Sequence, residues 1–108
     1  MKLYIDSSDN SKTVIKINDK EFVKDNDSPR NQDVFGFLIT CVRDEGFSPK
    51  DITEIFVNQG PGSFTGTRIG VTIANALGFS LGLSVNGKDV PIDVIYSAPP
   101  SITISRGK

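Results

Sequence analysis

The residues of this chain whose types and spacing could support chemistry lie in one glycine-rich stretch, "NQGPGSFTGTRIG", from Asn58 to Gly70. Glycine allows positive φ angles and a close approach of the backbone to a ligand. Free N–H groups at the start of a following helix attract anions. We therefore treat this stretch as a candidate anion-binding loop, with the candidate residues Gly60, Gly62, Ser63, Thr65 and Gly66.

The spacing of this loop does not match the best-known phosphate and nucleophile motifs. A GxxxxGK[ST] loop needs lysine after its last glycine, but Gly66 is followed by Thr67. The glycines miss the GxGxxG spacing of dinucleotide loops by one residue. A GxSxG elbow around Ser63 would need glycine where Pro61 stands. Two interpretations stay open, an anion site or simply the start of a helix.

The amino-acid composition removes several classes of catalytic and metal site. The chain has no histidine, so it cannot build a Ser–His or Cys–His pair or a histidine-based zinc site. Its single cysteine, Cys41, cannot complete a cysteine-rich metal site or an internal disulfide. The sequence thus predicts no catalytic residue, no metal and no cofactor.

The length of the chain is that of one small domain, and its net charge gives no overall positive potential that would attract nucleic acid. The 108 residues fit one domain, and the formal net charge is −1. Any role on RNA would therefore pass through a partner or a local patch. Acidic residues come too early for a signal peptide, and a lone cysteine fits a reducing compartment, so we expect a cytoplasmic protein.

The elements that must position the loop begin with three short strands. Alternating β-forming residues predict strands over 2–6, 13–18 and 21–25, joined by tight turns into an antiparallel meander. A helix follows from about Gln32 to Glu45, because apolar residues recur there at spacings of three and four.

A buried strand leads into the glycine loop, and a long helix leads out of it. The run "DITEIFVNQ", residues 51–59, predicts a central strand. Ser63 or Thr65 can cap a second helix that reaches about Leu83.

Two further strands are predicted near the end of the chain. They are "VPIDVIYS", residues 90–97, as a fifth strand, and "SITIS", residues 101–105, as a short last one. The main order β-β-β-α-β-α-β predicts an α/β fold with a mixed five-stranded sheet and two main helices.

The second helix carries a ridge of small residues at every fourth position: Gly62, Gly66, Gly70, Ala74, Gly78 and Gly82. A bulky row lies beside it: Ile69, Ile73, Leu77 and Leu81. No charged residue occurs between Arg68 and Lys88. A helix that is apolar on more than one side needs cover on more than one side, and so small a domain offers little. The sequence therefore predicts a protein partner.

Two other interpretations of this helix stay open. It could lie wholly inside the domain, or it could span a membrane, since about 17–25 apolar residues suffice for a span. Its Thr, Asn and Ser content argues against a lipid environment, so we predict no membrane partner.

Several motifs together make the chain resemble the TsaB (YeaZ) family. They are "YIDSS" on the first strand, "SPRNQ" before the first helix, and "GFSPKDITEIFVNQGPGSFTGTRIGVTIANALG", in which "GPGSFTGTRIG" is the most specific part. The resemblance covers Met1 to about Ser97 and matches only the N-terminal lobe of usual family members.

This resemblance implies a single actin-like ATPase or ribonuclease-H-like lobe over residues 1–108, with the second lobe absent. It also implies a non-catalytic subunit, not an enzyme, in the synthesis of N6-threonylcarbamoyladenosine on tRNA. In that pathway TsaB-like proteins pair with the catalytic subunit TsaD, and a small ATPase, TsaE, docks on the pair. Contact with tRNA would be indirect, and the chain alone is expected to form a homodimer.

The resemblance places the partner face on the two helices, which in the family join those of TsaD in a bundle. The residues carried over by position are Val34, Phe35, Leu38 and Val42 from the first helix, and Gly66, Gly70, Ala74, Leu77 and Gly78 from the second.

The chain departs from the family pattern at several points. Asn31 or Gln32 stands near the place where members often carry a histidine, and Asp6 lacks the neighbouring glycine expected in ATP-using relatives. Because nucleotide in this superfamily lies between two lobes, we expect Asp6 to act as a strand-end cap or loop acceptor. Two other functions stay open: a small nucleotide- or phosphate-binding protein that uses "GPGSFTG" and Asp6, and a stand-alone homodimeric scaffold.

Overall fold

The computed structural model of the protein describes residues 1–26 and 32–95. Three strands come first: β1 is Lys2–Asp6, β2 is Lys12–Ile17 and β3 is Lys20–Asp25. Then follow helix α1, Val34–Asp44, strand β4, Glu54–Val57, and helix α2, Phe64–Leu81. A 3-10 turn, Pro49–Asp51, leads into β4. The predicted elements are therefore present as far as α2, with ends that differ by a few residues.

The four strands form one mixed sheet in the order β3-β2-β1-β4. β1 pairs antiparallel with β2, where Leu3 lies opposite Ile17, and parallel with β4, where Leu3 lies opposite Ile55. The parallel pair needs a crossover, which α1 supplies. The mixed α/β architecture is confirmed, and it brings the glycine loop after β4 next to the residues that follow β1.

One face of the sheet forms the core. Its inward-facing residues are fully or almost fully buried: Leu3, Ile5, Ile15, Ile17, Ile55 and Val57. α1 lies against β2, and α2 lies against β1 and β4. Leu38 and Ala74 have no exposed surface and belong to the same cluster, so one side of each helix is committed to this core.

Side chains and glycines set the ends of both helices. The carboxylate of Asp33 accepts the N–H of Gly36 at 3.0 Å and starts α1. The hydroxyl of Ser63 accepts the N–H of Gly66 at 3.2 Å and starts α2, so Ser63 rather than Thr65 is the cap. α2 ends at Gly82, whose φ of 70° is the left-handed conformation that favours glycine.

The predicted fifth strand is wrong for its described part, because residues 90–95 form no strand. Pro91 has no N–H to donate to a ladder. The backbone of Ile92 instead pairs with a side chain: its N–H donates to Asn75 Oδ1 at 2.9 Å, and Asn75 Nδ2 donates to its carbonyl at 3.0 Å. The described sheet therefore has four strands. Residues 96–97 and the predicted strand 101–105 lie outside the described residues.

The environment of α2 decides between the interpretations left open for it. The ridge residues Gly66, Gly70, Ala74 and Gly78 are buried, whereas Phe79 is 84% exposed, so the helix is not wholly internal. Within residues 1–26 and 32–95, no helix has both the length and the apolar character that crossing a bilayer requires.

Candidate docking groove and glycine loop

Hydrogen bonds within the chain hold the loop between β4 and α2. The N–H of Ser63 donates to the carbonyl of Ser8 at 2.6 Å, and the N–H of Gly60 donates to Asn58 Oδ1 at 2.8 Å. The N–H of Gly66 is taken by Ser63 Oγ. Three amides that an anion could use are therefore engaged, and anion binding by the five predicted loop residues stays a prediction.

The small residues at the start of α2 let the helix approach the end of β1. A Cβ on Gly62 would lie 2.7 Å from the carbonyl oxygen of Ser8. A Cβ on Gly66 would collide with the carbonyl oxygen of Ser7, and one on Gly70 with Ser7 Oγ. The same hydroxyl donates to the carbonyl of Gly66 at 2.6 Å. This part of the ridge is thus explained by the chain's own sheet.

Most of the predicted partner face lies inside the chain. Seven of its nine residues are buried: Val34, Leu38, Val42, Gly66, Gly70, Ala74 and Gly78. In the isolated chain these seven lie on the side of the helices that packs on the core, and their contact with a partner stays a prediction. Only Phe35, which is 53% exposed, and the half-buried Leu77 reach the surface. Contact of these two with a partner stays a prediction.

The accessible side of the helix pair carries an apolar groove. One end is lined by Phe35, Thr72, Ile73, Ala76, Leu77 and Ser80. The other end is lined by Thr65, Arg68, Ile69, Thr72 and Ile73. Thr72 and Ile73 belong to both ends, so the groove is continuous along α2. Three of the four residues of the bulky row, Ile69, Ile73 and Leu77, therefore line this open surface, which we call the docking groove.

The docking groove is apolar with one cationic end. Among the residues that the structure describes, Arg68 is the one charged residue in its lining. The Arg68 guanidinium lies 5.1 Å from the centroid of the Phe64 ring, and Phe64 is 57% exposed. Stacking on the ring holds the charge at the surface beside the groove.

Asp6 accepts hydrogen bonds at the end of β1. Its Oδ1 accepts from the N–H of Ser8 at 3.0 Å and from the hydroxyl of Ser8 at 2.6 Å. Asn58 Nδ2 in turn donates to that hydroxyl at 3.2 Å. Burial by itself would raise the pKa of Asp6, but the hydrogen bonds, chiefly those from Ser8, hold it below its usual value. Asp6 is thus the loop acceptor that the sequence predicted.

Gln32, near the position of the family histidine, fastens the β1–β2 turn to the start of α1. Its Nε2 lies within reach of four oxygens: Ser7 O at 3.5 Å, Asp9 O at 3.4 Å, Lys12 O at 3.4 Å and Thr13 Oγ1 at 3.3 Å. An amide has two hydrogens to donate, so these acceptors share it. Asn31 lies outside the described residues.

The described residues form neither a metal-binding group nor a reactive thiol. Across residues 1–26 and 32–95, no three His, Cys, Asp or Glu side chains gather into a group that could hold a metal ion. Cys41 is buried, and burial, together with Asp44 and Glu45, raises the pKa of its thiol, which disfavours the reactive thiolate.

Side chains of two asparagines bond the segment after α2 to the rest of the chain, and the sequence did not predict these contacts. Asn75 holds Ile92, as described above. Asn86 bonds to the outer edge of β4: its Oδ1 accepts the N–H of Val57 at 2.9 Å, and its Nδ2 donates to the carbonyl of Val57 at 2.9 Å. The pair Asn86–Gly87 is typical of a tight hairpin turn and could have signalled this role.

The sequence is similar to that of one known protein family and of one characterised relative. Residues 34–87 match the family model described as TsaD: tRNA N6-adenosine threonylcarbamoyltransferase. The matched region runs from the first residue of α1 through α2 and contains all the residues named above as lining the groove. The chain is also 41% identical over 58 residues to the tRNA threonylcarbamoyladenosine biosynthesis protein TsaB of Bacillus subtilis (strain 168). That match covers 54% of the chain and 22% of the relative.

Solved structures show the same fold. YeaZ from Pseudomonas aeruginosa aligns with a TM-score of 0.64 at 22% identity, over 78% of this chain and 42% of that one. A second structure, of an uncharacterized protein with similarity to peptidase YeaZ from Pseudomonas aeruginosa, aligns with a TM-score of 0.57 at 26% identity, over 78% and 40%. The predicted actin-like, ribonuclease-H-like lobe is confirmed, and the chain spans less than half of each of these relatives.

Proposed function

The chain belongs to the TsaB/YeaZ family of tRNA threonylcarbamoyladenosine biosynthesis, and from this premise we propose that it is a non-catalytic subunit that docks on a TsaD-like catalytic protein. The observation that carries the proposal is the docking groove, an open apolar surface between α1 and α2. The absence of histidine fits a role without catalysis of its own.

The shape and composition of the groove suit a pair of partner helices. Ile69, Ile73 and Leu77 repeat along α2 at the spacing of one helix side and remain half-buried in the isolated chain. Ala76 and Thr72 are small and exposed, so a partner helix could approach closely between them and Phe35. Two helices from each subunit would then form a four-helix bundle.

Docking of this kind would act by favouring one state of the partner. A subunit that binds only the competent conformation of a TsaD-like protein raises the population of that conformation. In this scheme a TsaE-like ATPase joins the pair, and tRNA is contacted through the complex, not by this weakly acidic chain.

Without its partner the chain is expected to self-associate through the same groove. A two-fold homodimer would bury each copy's exposed apolar surface against the other. Sedimentation over a range of concentrations measures this directly, and a monomer at every concentration would remove the homodimer from the proposal while leaving the heteromeric contact to its own test.

The structure offers less support for nucleotide binding than for docking on a partner. The amides of Gly60, Ser63 and Gly66 are engaged within the chain, and Asp6 is occupied by Ser8. Titration calorimetry of the chain with ATP and magnesium should show no appreciable heat of binding. Clear saturable binding would favour the alternative.

The proposed contact is tested by placing one charge inside the groove. Ala76→Arg puts a guanidinium on an exposed helix position in the groove lining, where the fold has room for it. Phe79→Arg is the matched control, because it puts the same group on the same helix at an 84% exposed position outside that lining. Both variants should fold, as judged by their urea denaturation.

The affinity for the TsaD-like protein of the same organism is then measured by titration calorimetry or by surface plasmon resonance. An unpaired charge buried at an interface costs several kcal/mol, so Ala76→Arg should weaken binding by roughly tenfold or more. Phe79→Arg should bind like the unaltered chain. Equal binding by both variants would rule out the groove as the docking surface.

A further inference from the structure

The turn Val85–Lys88 contains the one Asn–Gly pair of the sequence, Asn86–Gly87. Asn86 has a φ of 54° and Gly87 a φ of 75°, and the N–H groups of Val85 and Lys88 each donate to the other residue's carbonyl at 2.9 Å. These values define a two-residue hairpin with both central residues left-handed.

Every polar atom of the Asn86 side chain is used on neighbouring elements. Oδ1 accepts the N–H of Val57, while Nδ2 donates to the carbonyl of Val57 and to Gln59 Oε1, each at 2.9 Å. The backbone N–H of Asn86 also donates to the carbonyl of Ile55 at 3.0 Å. The residue therefore takes the place of a fifth strand along the outer edge of β4.

We propose that Asn86 is a site of spontaneous deamidation that the fold holds in check, and that its conversion releases the outer edge of β4. Asparagine followed by glycine is chemically labile, because glycine has no side chain to hinder attack by its own nitrogen. The Gly87 nitrogen bonds to Cγ of Asn86, the Cγ–Nδ2 bond breaks, and ammonia leaves with the proton of that nitrogen. Water then opens the cyclic imide to aspartate or isoaspartate.

The folded structure opposes the first step. Nδ2, the leaving group, is anchored by two hydrogen bonds to Val57 and Gln59, and Oδ1 is held by a third. Cγ cannot turn toward the Gly87 nitrogen until these bonds open together. Reaction in the native protein therefore depends on local opening of the turn.

The product cannot restore the contacts that are lost. Aspartate has no N–H to give to Val57 O or Gln59 Oε1, and its carboxylate would face both of these acceptors. Isoaspartate also lengthens the backbone and breaks the two-residue turn. Aspartate keeps an oxygen that could accept the Val57 N–H, but repulsion from the carbonyl of Val57 and from Gln59 Oε1 drives its carboxylate off this position. Either product therefore releases the outer edge of β4.

The rate of deamidation at Asn86 tests the proposal. The full chain is incubated folded and in denaturant at mildly alkaline pH, and peptide mass spectrometry follows replacement of the amide NH2 by OH. Conversion should be roughly tenfold or more slower in the folded chain. Gln59→Ala removes one anchor of Nδ2, so it should speed conversion only in the folded chain. Ser84→Ala, an exposed neighbour outside these contacts, is the matched control and should leave both rates unchanged.

The structural consequence is read on the converted protein. Deamidated chain separated by ion exchange should lose hydrogen-exchange protection at the Val57 amide, and its Tm should fall. Equal rates in the folded and denatured chain would overturn the proposal. So would an unmodified Asn86 in denaturant, no effect of Gln59→Ala, or full Val57 protection after conversion.

Discussion

The effect of Gly70→Ala on stability shows whether the row of small residues on α2 packs on the chain's own sheet or lies open for a partner. The added Cβ would collide with Ser7 Oγ, which is buried and bonded to the carbonyl of Gly66. Overpacking of this kind costs about 1–3 kcal/mol. Driving the hydroxyl off its acceptor adds about 1–3 kcal/mol. The better helix propensity of alanine returns about 1 kcal/mol.

The free energy of unfolding should therefore fall by about 1–5 kcal/mol in Gly70→Ala. On a ridge with open space, the same change would stabilise the isolated chain by about 1 kcal/mol. The sign of the effect decides between the two. Urea denaturation measures it, with an unchanged m-value showing that the comparison is valid.

A second mutation locates the cause. In a Ser7→Ala background the new Cβ would meet the Cβ at position 7 at 3.6 Å, an ordinary contact, so most of the penalty should vanish. The double-mutant cycle should then give a coupling of about 1 kcal/mol or more. Ser80→Ala, an exposed position on the same helix, should change stability by less than about 0.5 kcal/mol. A stabilised Gly70→Ala, or a penalty that persists without the Ser7 hydroxyl, would refute this account.

Three further predictions concern the core, the end of β1 and the segment after α2. Leu38→Ala should lower the free energy of unfolding by about 2–5 kcal/mol in urea titrations, because Leu38 is fully buried. Because the folded pKa of Asp6 is lowered, its stabilising contribution is complete above the unfolded value of about 3.9 and is lost as pH falls through the folded pKa. Asp6→Asn should therefore flatten the loss of stability below about pH 4, and an unchanged acid profile would contradict this. Asn75→Ala removes both bonds to Ile92, so hydrogen exchange at the Ile92 amide should speed up while exchange at Leu3 stays slow.

The strands and helices were predictable where local patterns agree with the fold. Alternation in 2–6 and 13–18 identified strands whose inward residues are buried, and Ser63 was one of two predicted caps for α2. The absence of a strand over 90–95 was harder to predict, because the β-forming residues there do not reveal that Asn86 already bonds along the outer edge of β4. Pro91 was the local signal that weighed against it.

The partner face shows a different limit of sequence patterns. A row of small residues indicates close approach, but it does not say whether a partner or the chain itself approaches. Ser7, far away in sequence, settles this by filling the space beside Gly66 and Gly70. The bulky row beside it, with Ile73 and Leu77, was recognised in the sequence, but its exposure depends on how the helix is rotated on the sheet.

The parallel pairing of β1 with β4 has a consequence for how the protein forms. Leu3 and Ile55 are neighbours in the sheet although the meander and α1 lie between them in the chain. Closing so long a segment is slow, whereas the hairpins of β1, β2 and β3 need only short turns. During synthesis from the N-terminus, one hydrogen-bonding edge of β1 stays unpaired until β4 has left the ribosome. The nascent chain is therefore most prone to mispairing in the interval before Val57 emerges, and a chaperone would help it most at that stage.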